Sequence, residues 1–390
     1  MPSWLSNLGK LSRNLRRNRQ KLDLRLETWR SHRLTRDETS VVIVRLDGIG
    51  DFVLWLDCAR AIRRRYPRPD FHITLVIASE LATFAASTGL FDNILSVDRQ
   101  AYIWNNKYNR SILRRVADLR AAVAISPCIS RDRHGDRLIL VSGATTRIGV
   151  DGDESQTAKK KAQSDLWYTD LIKVPPGIHE IEANAIVARY FDKGAAITRP
   201  RMHDAMVTQP EWLPLQQKYF VIFPGSASHK KKWPVERFAS LVERLQAQFG
   251  WTAILCGSPS DQASITALMN LVPSDRVIDA CGRTTLSDLA GVLTGAQLLI
   301  CNDTGAAHIA AAVDCPVVVP FGGWQIGRFL PYPQTLREDE HGIVFPVTYE
   351  MPCFHCHWKC IFPRVIDRPL PRVPAVPPDA LWAVVHSAIH

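Results

Sequence analysis

The sequence lacks the long apolar stretches that membrane-embedded and exported proteins carry. No run of about 18 uninterrupted apolar residues occurs in its 390 residues, so we expect no transmembrane helix. The opening residues, MPSWLSNLGK, lack the apolar core and the small-residue cleavage site of a signal peptide. A content of 46% hydrophobic and 22% charged residues is typical of a globular protein. These features predict a soluble, cytoplasmic protein.

An even set of cysteines, typical of a secreted disulfide framework, is also missing. Nine cysteines are present, and six of them lie among apolar residues. This pattern is typical of buried thiols in a reducing compartment, because structural disulfides belong to oxidising ones. The six residues are Cys58, Cys128, Cys256, Cys281, Cys301 and Cys315.

Two common nucleotide-binding motifs are absent as well. The loop RLDGIGDF, residues 45–52, lacks the third glycine of a dinucleotide fingerprint, and no G-x-x-x-x-G-K-[ST] sequence occurs. The second absence excludes an ATP-hydrolysing P-loop. A net charge of +10 is compatible with a polyanionic partner, but neither a nucleic-acid recognition motif nor an aromatic stacking series accompanies it. We therefore expect no nucleic-acid partner.

What the sequence does contain is a repeated alternation of strands and helices. At 390 residues the chain is long for one hydrophobic core and is expected to form two domains. The alternation in both halves predicts an α/β fold with two Rossmann-like, doubly wound parallel sheets that face each other across a cleft. The predicted limits are 1–40 for a basic arm, 41–200 and 218–376 for the two domains, and 377–390 for a terminal helix.

Apolar runs and turn residues place the individual elements. In the first half they predict a strand at Val41–Leu46, a helix at Phe52–Arg65 and a last short strand at Arg147–Val150. The polar segment 151–165 is expected to be a surface loop. In the second half the pattern restarts, and Pro234–Phe249 is predicted to be an amphipathic helix that begins with proline.

The positive charge is concentrated in residues 1–40, which hold ten Lys and Arg against four acidic residues. Apolar residues recur there at spacings of three, four and seven, which predicts a helix with one apolar stripe. Such a helix can lie on an anionic membrane surface. A helix docked on its own protein and a partly disordered arm are also compatible with the pattern. The stripe consists of Leu8, Leu11, Leu15, Leu22, Leu26 and Trp29.

The segment LLICNDTGAAHIAAAVDCPVVVPFGG, residues 298–323, predicts a strand, a sharp turn, a small-residue helix and a second strand. Asp303 is expected to cap a helix that begins at Thr304. The first N–H groups of a helix have no intrahelical partner, and the helix dipole favours an anion there. Gly305 leaves room for a phosphate, and His308 lies on the same helix face as Thr304. An ordinary strand–helix–strand crossover has the same pattern.

The loop 45–52 follows the first predicted strand, where a doubly wound sheet binds its ligands. Gly48 and Gly50 permit a tight turn, and Asp51 begins the following helix. An aspartate at this position is usually a cap or a partner of the helix dipole. The functional alternative is a general base that removes a proton from a substrate.

A second loop, FPGSASHKKKWP, places three consecutive lysines, residues 230–232, just before a helix N-terminus. Cations at a helix start oppose the helix dipole, so they need an anion to offset that cost. A phosphate ligand would supply it, and Ser226 lies in the small-residue part of the same loop. Three solvated lysines are the simpler alternative.

Together these segments resemble the family 9 glycosyltransferases, typified by the ADP-heptose:lipopolysaccharide heptosyltransferases of the bacterial inner core. VVIVRLDGIGDF resembles the family's first strand followed by Gly-Asp. FPGSASHKKKWPVERF resembles its P-G-x(n)-K-x-W-P element, and NDTGAAHIAAAVDCPVVVPFG resembles its D-T-G-x-x-H element. The resemblance covers roughly residues 41–390, with Leu56-Asp57 where the family commonly has Thr-Pro.

The resemblance implies a GT-B fold and an inverting, metal-independent transfer from a nucleotide-activated sugar, with no cofactor. It implies that Asp51 is the general base and that Lys231 binds the donor phosphates. Further candidates on the donor side are Ser226, Asp303, Thr304, Gly305 and His308. Candidates on the acceptor side are Arg45, Gly50, Arg131 and Arg133.

The sequence CFHCHWKC, residues 353–360, groups three cysteines with two histidines. Cys353, Cys356 and Cys360 have the ligand type that zinc or iron prefers. A second cysteine pair at a distance, which a self-contained structural site normally needs, is missing. A cluster of reduced thiols is the alternative.

We therefore expect an ADP-sugar-dependent enzyme, cytoplasmic and peripheral at the inner face of the inner membrane, that moves heptose onto a lipopolysaccharide-type or other lipid-linked acceptor. Asp51 would deprotonate the acceptor hydroxyl, while Lys231 and the backbone at Thr304–Gly305 would stabilise the departing diphosphate. One alternative keeps the fold but uses another nucleotide sugar, or a protein or surface-glycan acceptor. Another is a non-catalytic nucleotide-binding protein at the membrane.

Overall fold

The computed structural model describes residues 3–153, 156–196, 198–213, 216–336, 343–352, 354–356, 361 and 371–389. The chain divides into two compact units. Unit 1 comprises Met1–Gly48, Cys58–Pro176 and Ala183–Ala195, and unit 2 comprises Ile49–Asp57, Gly177–Glu182 and Ala196–His390.

Unit 1 forms, within the described residues, a six-stranded sheet in the order β3-β2-β1-β4-β5-β6, with every neighbouring pair parallel. The central strand carries consecutive apolar residues, Val41 to Val44, that are at most 1% exposed, as expected for a parallel strand covered on both faces. The strands are β1 Asp37–Arg45, β2 His72–Ala78, β3 Asn93–Val97, β4 Ala121–Ser126, β5 Thr146–Val150 and β6 Asp170–Ile172.

Unit 2 repeats this plan in its described part, with a parallel sheet in the order β12-β11-β10-β7-β8-β9. Both orders correspond to the Rossmann arrangement, in which the chain starts in the middle and winds outward to each side. The strands are β7 Tyr219–Phe223, β8 Thr252–Leu255, β9 Val277–Asp279, β10 Leu299–Cys301, β11 Val317–Phe321 and β12 Val344–Thr348.

Helices connect these strands. Those before β7 are α1 Ser3–Ser31, α2 Ile49–Leu54, α3 Leu56–Arg65, α4 Ala82–Ser87, α5 Arg99–Trp104, α6 Asn106–Asp118, α7 Arg133–Ser142, α8 Ala158–Asp165 and α9 Glu180–Phe191. Those after β7 are α10 Val235–Phe249, α11 Gln262–Met269, α12 Leu286–Thr294, α13 Gly305–Ala312, α14 Arg372–Ala375 and α15 Pro378–Ile389. The terminal helix α15 packs on α10 and β11 of unit 2. No helix in the described ranges is both long and apolar enough to span a membrane.

Three local predictions were wrong. The segment 151–165 contains helix α8, in which Lys161 and Asp165 form an ion pair at 3.0 Å one turn apart. Strand β6 follows the strand at Arg147–Val150 that was expected to be the last of the first half. Its three residues are too few to show the alternation of apolar and polar side chains that identifies a strand. The helix expected at Phe52–Arg65 is two helices, with Trp55 between them donating to the carbonyl of Phe52.

Helix α1 docks on unit 1 through a face other than the predicted apolar stripe. Leu24 belongs to the core of unit 1, and Arg110 of α6 lies 3.2 Å from the buried Glu27. A helix docked on its own protein, one of the alternatives, is therefore what the structure contains. The stripe itself stays at the surface: Leu15 is 63% exposed, Leu22 56%, Leu26 45% and Trp29 59%. The side chains of Leu8 and Leu11 lie outside the described residues.

Candidate functional site

The candidate site lies between β7 and β10 of unit 2, where the order of the strands in the sheet changes direction. β7 and β10 are neighbours in the sheet, and the chain continues from β7 to one edge and from β10 to the other. Doubly wound sheets bind ligands beyond the carboxyl ends of their strands at such a switch point. The lysine loop follows β7 and the Asp-Thr-Gly turn follows β10. The two segments that the sequence indicated separately therefore share one edge of the sheet.

A buried asparagine holds these two segments together. Asn302 is 0% exposed, and its Oδ1 accepts a hydrogen bond of 2.9 Å from the backbone N–H of Trp233. Its Nδ2 donates to the carbonyl of Pro224 at 2.7 Å. Both ends of the lysine loop are thus fixed to the end of β10. This role was missed, because nothing in the sequence distinguishes this Asn from a turn residue.

The charge of Lys231 is met within the protein by Asp303. Lys231 Nζ lies 2.9 Å from Asp303 Oδ2, with the two side chains 25% and 10% exposed. Lys232 Nζ lies 3.7 Å from Asp261 Oδ1. Carboxylates of the protein therefore supply a negative charge to two of the three lysines, and a phosphate at this loop stays a prediction. A phosphate would instead add to, or compete with, these carboxylates.

Asp303 is also not the helix cap that the sequence indicated. The capping residue of α13 is Thr304, in extended backbone, and its side chain makes no capping hydrogen bond in the described structure. Asp303 is directed to Lys231 instead. The N-terminal turn of α13 therefore retains the backbone donors and the positive dipole end that attract an anion.

Helix α2 brings Asp51 to this same end of α13. A Cβ on Gly50 would lie 2.6 Å from His308 Cδ2, and a Cβ on Gly305 would lie 2.7 Å from Ile49 Cβ. Glycine is therefore required at both positions for the two helix starts to approach each other. Asp51, in the first turn of α2, is half-buried and close enough to His308 to act on its charge.

His308 is a buried and uncharged group in this site. It is 4% exposed, and its Nδ1 lies 2.9 Å from the hydroxyl of Tyr332, whose ring stacks on the imidazole. Burial lowers the pKa of His308 to about 4, although the nearby Asp303 and Asp51 favour the charged form. At neutral pH His308 therefore offers hydrogen bonds and no positive charge.

A second buried imidazole and a tyrosine complete the cluster, and the sequence reasoning missed both. His179 is 3% exposed; its Nδ1 accepts from the N–H of Ile181 and its Nε2 lies 3.0 Å from the carbonyl of Phe329. Because Nδ1 accepts, Nε2 carries the proton. The ring of His179 packs edge-on to Tyr332. Only the three-dimensional contacts reveal these residues, since neither lies in a recognisable motif.

The remaining donor-side candidate and its neighbours lie in the lysine loop and the turn after β8. Ser226 is half-buried, and its hydroxyl accepts a long hydrogen bond of 3.4 Å from the N–H of Ser228. A Cβ on Gly225 would lie 2.4 Å from Asp261 Oδ2. Asp261 is held by Ser258, which donates to it from both its N–H and its hydroxyl. These contacts fix the loop in place.

Two of the acceptor-side candidates, Arg45 and Arg131, form ion pairs within unit 1. Arg45 is 1% exposed and pairs with Asp47 at 2.9 Å. Arg131 is buried between Asp136 at 3.2 Å and Asp165 at 2.8 Å. A contact of either guanidinium group with the acceptor stays a prediction.

Arg133 differs from these two arginines. It is half-buried at the start of α7, and its Nη2 lies 3.4 Å from Gln163 Oε1. It therefore stays a candidate for contacts with a ligand.

The cysteines behave as expected where the structure describes them. The six cysteines predicted to be buried are buried and free. Of the proposed metal ligands, Cys353 and Cys360 lie outside the described residues, and Cys356 accepts a hydrogen bond of 3.2 Å from Arg372 Nη2. The described residues contain no group of three or more His, Cys, Asp or Glu that could hold a metal ion.

Two Rossmann-type parallel sheets, one in each unit, are the architecture of glycosyltransferases of the GT-B class. The model of glycosyltransferase family 9 (heptosyltransferase) matches residues 138–359, and the chain belongs to this family of enzymes. The family resemblance and the predicted fold class are thereby confirmed.

Similar proteins include lipopolysaccharide heptosyltransferase 3 of Escherichia coli, 32% identical over 47% of this chain and 55% of that protein. The lipopolysaccharide core heptosyltransferase OpsX of Haemophilus influenzae is 23% identical over 75% of this chain and 82% of its own length. Thus the match spans little more than half of the first relative. The structure of E. coli ADP-heptose LPS heptosyltransferase II has the same fold, with a TM-score of 0.63, 14% identity, and 90% of this chain and 98% of that chain covered.

Proposed function

We propose that this chain transfers a heptose from ADP-heptose to an acceptor of the lipopolysaccharide core type, with inversion at the anomeric carbon. Membership of the family, and relatives named as lipopolysaccharide heptosyltransferases, support this activity. The observation that carries the proposal is the convergence of Lys231, the N-terminus of α13 and Asp51 in unit 2. This convergence supports a carboxylate that acts beside a bound diphosphate.

In the proposed mechanism Asp51 is the general base. The acceptor hydroxyl oxygen attacks the anomeric carbon, the bond from that carbon to the diphosphate breaks, and Asp51 takes the hydroxyl proton. Its position in the first turn of α2, against α13, supports this assignment over a simple cap. General base catalysis is typically worth about 10²–10⁴ in rate.

The leaving diphosphate is stabilised by Lys231 and by the backbone donors at Thr304–Gly305. Both are in place before the reaction, since Asn302 fixes the loop and Asp303 holds the lysine. Preorganised charge of this kind costs no rearrangement at the moment of bond breaking. We propose that these groups provide the charge stabilisation, and metal independence stays a prediction.

His308 is proposed to donate a hydrogen bond from Nε2 towards the donor. Tyr332 holds its hydroxyl proton strongly, because burial raises the pKa of Tyr332. A protonated Tyr332 can donate to His308 Nδ1 at 2.9 Å, which leaves the proton of the neutral imidazole on Nε2. That edge of the ring faces Gly50, next to Asp51. Tyr332 is then a positioning residue.

We also propose that the enzyme works at the inner, anionic surface of a membrane, which α1 contacts. The exposed side chains of Leu15, Leu22 and Leu26 support this placement, together with Trp29. Basic side chains, among them Arg19 and Arg25, are exposed on the same helix. Apolar residues bordered by cations are typical of helices that lie in a membrane interface.

The proposal is tested by incubating the purified protein with ADP-heptose, then with ADP-glucose, and a heptose-deficient lipopolysaccharide acceptor. Mass spectrometry is expected to show an acceptor that has gained one heptose and no product with ADP-glucose. Mass spectrometry of a nucleotide sugar retained by the purified protein gives an independent identification of the donor. Transfer of another sugar would favour the alternative donor, and a retained donor that never turns over would favour the non-catalytic alternative.

A further inference from the structure

Unit 1 contains a cavity that the proposed transfer does not use. Its volume is about 600 Å³, within the range of small-molecule sites. It lies between α1, α7 and the segment around α8. The α1 side of its wall lies outside the region that matches the family model, which begins at residue 138.

The wall of this cavity is basic and aromatic. Lys21 and Arg25 of α1 and Arg133 and Arg137 of α7 contribute four cations. The indole rings of Trp29 and Trp167 line it as well, and no carboxylate is among the described lining residues. Four positive charges without an acid in the wall favour an anion, and the rings favour an apolar portion attached to it.

Arg137 is the residue that indicates a ligand most directly. It is only 7% exposed, and its Nε has no hydrogen-bond partner among the described residues. Burial is the main cause that lowers its pKa and Arg133 adds to it by repulsion, while Tyr102 and Asp132 act in the opposite direction without forming an ion pair with it in the described structure. The equally buried Arg131 of the same unit has two carboxylate partners. A buried cation without such a partner is costly unless an anion reaches it.

We infer that this cavity binds the phosphate headgroup of an anionic lipid, with Arg137 and Arg25 on the phosphate and the tryptophans against the adjoining apolar portion. The choice of a lipid as the source of the phosphate rests on the proposed membrane contact of α1. Trp29 belongs both to the exposed apolar stripe of that helix and to the wall of the cavity. A headgroup in the cavity therefore leaves its acyl chains beside the stripe.

The test uses the full-length protein and three soluble probes: inorganic phosphate, glycerol 3-phosphate and a short-chain phosphatidic acid below its micelle concentration. Calorimetry is expected to show binding of the short-chain lipid about tenfold or more tighter than of either headgroup alone. Arg137→Met and Arg25→Met are each expected to weaken lipid binding by about tenfold or more. Arg19→Met is the matched control, since Arg19 is exposed on α1 but does not line the cavity.

Folding of Arg137→Met is checked by its melting temperature. We expect it to be equal to or higher than that of the unmodified protein, because an unpartnered buried charge is replaced by an apolar group of similar length. Arg25→Met, at an exposed position, keeps the test valid if Arg137→Met does not fold.

Three results would overturn the inference. They are equal affinity for inorganic phosphate and for the lipid, unchanged lipid binding in both cavity variants, and an equal loss in Arg19→Met, which would indicate only surface attraction. Because the probes are soluble and no sugar donor is present, failure here is distinct from failure of the membrane contact or of the transferase activity.

Discussion

Replacing Lys231 by alanine is expected to weaken the binding of ADP and of ADP-heptose by the same factor. The proposed contact is with the phosphates, which both ligands share, rather than with the sugar. Lys231 lies close to the N-terminus of α13, since its Nζ is 2.9 Å from Asp303, which directly precedes the capping residue Thr304. A ligand phosphate at α13 is therefore within reach of the same ammonium group.

The magnitude follows from the strength of one charge-assisted hydrogen bond. Such a contact contributes about 1.5–3 kcal/mol, which corresponds to roughly 10- to 150-fold in the dissociation constant. We expect the lower part of this range, because part of the gain is offset when the phosphate competes with Asp303 for the lysine. The side chain is 25% exposed, and solvent screening reduces the effect further.

The assay is isothermal titration calorimetry with ADP and ADP-heptose on the unmodified protein, Lys231→Ala and Lys230→Ala. Lys230→Ala is the matched control because this substitution removes the same charge from the same loop. Lys230 itself has no ion-pair partner among the described residues. Its substitution is expected to change affinity by about twofold at most. Unchanged ADP affinity in Lys231→Ala, or an equal loss in Lys230→Ala, would refute the reasoning.

Three further predictions follow from the packing and the charges. Gly50→Ala is expected to destabilise the protein by about 1–3 kcal/mol and to lower turnover, because the new Cβ would overlap His308. Gly135→Ala is the control, since a Cβ there meets only ordinary contacts. Equal melting temperatures of the two variants would contradict the close approach of Gly50 to His308. Burial lowers the pKa of His179 and of His308 from 6.5 to about 4. Between these two pH values the unfolded chain binds more protons than the folded protein, so the free energy of unfolding decreases as the pH falls from 6.5 to about 4. Urea titrations at pH 7 and pH 5 are expected to differ by on the order of 2 kcal/mol for each imidazole, and a full pH dependence in His308→Gln would count against this explanation. Replacing Leu15 and Leu22 by serine is expected to reduce sedimentation with anionic vesicles and to leave the melting temperature within a few degrees, because both side chains are exposed; unchanged sedimentation would remove the membrane role of the stripe.

The sheets were the part of the fold that the sequence could predict best. Inner parallel strands are covered on both faces, so they appear as short apolar runs: the predicted strand Val41–Leu46 overlaps the observed β1, Asp37–Arg45, and the predicted Arg147–Val150 lies within β5, Thr146–Val150. Edge elements carry a weaker signal. Strand β6 has three residues, and β9 and β12 lie at the edges of their sheet, so none of them was predicted.

Helix α1 shows a limit of periodicity as a guide to packing. Its apolar stripe was predicted, yet the docked face consists largely of polar residues, Gln20, Asp23 and Glu27 with Leu24. Ion pairs and hydrogen bonds to α6 and its surroundings hold that face. A hydrophobic pattern cannot reveal an interface built from such contacts.

In the candidate site, the sequence could identify side chains but not their partners. Lys231, Asp303 and His308 were recognised from motifs. That Asp303 binds Lys231 rather than capping α13, and that His308 is kept neutral by burial, depend on contacts between distant segments. Tyr332 and Asn302 act through the same long-range contacts. The catalytic and binding roles themselves stay predictions.

The most direct test of the central claim is the rate of heptose transfer by Asp51→Asn compared with the unmodified protein. The amide keeps the shape of the carboxylate but cannot accept the hydroxyl proton. With ADP-heptose and a heptose-deficient lipopolysaccharide acceptor, we expect turnover to fall by about two orders of magnitude or more, with ADP affinity and melting temperature nearly unchanged. A variant that keeps more than about half of the turnover would show that Asp51 is only part of a helix start and would contradict the proposed mechanism.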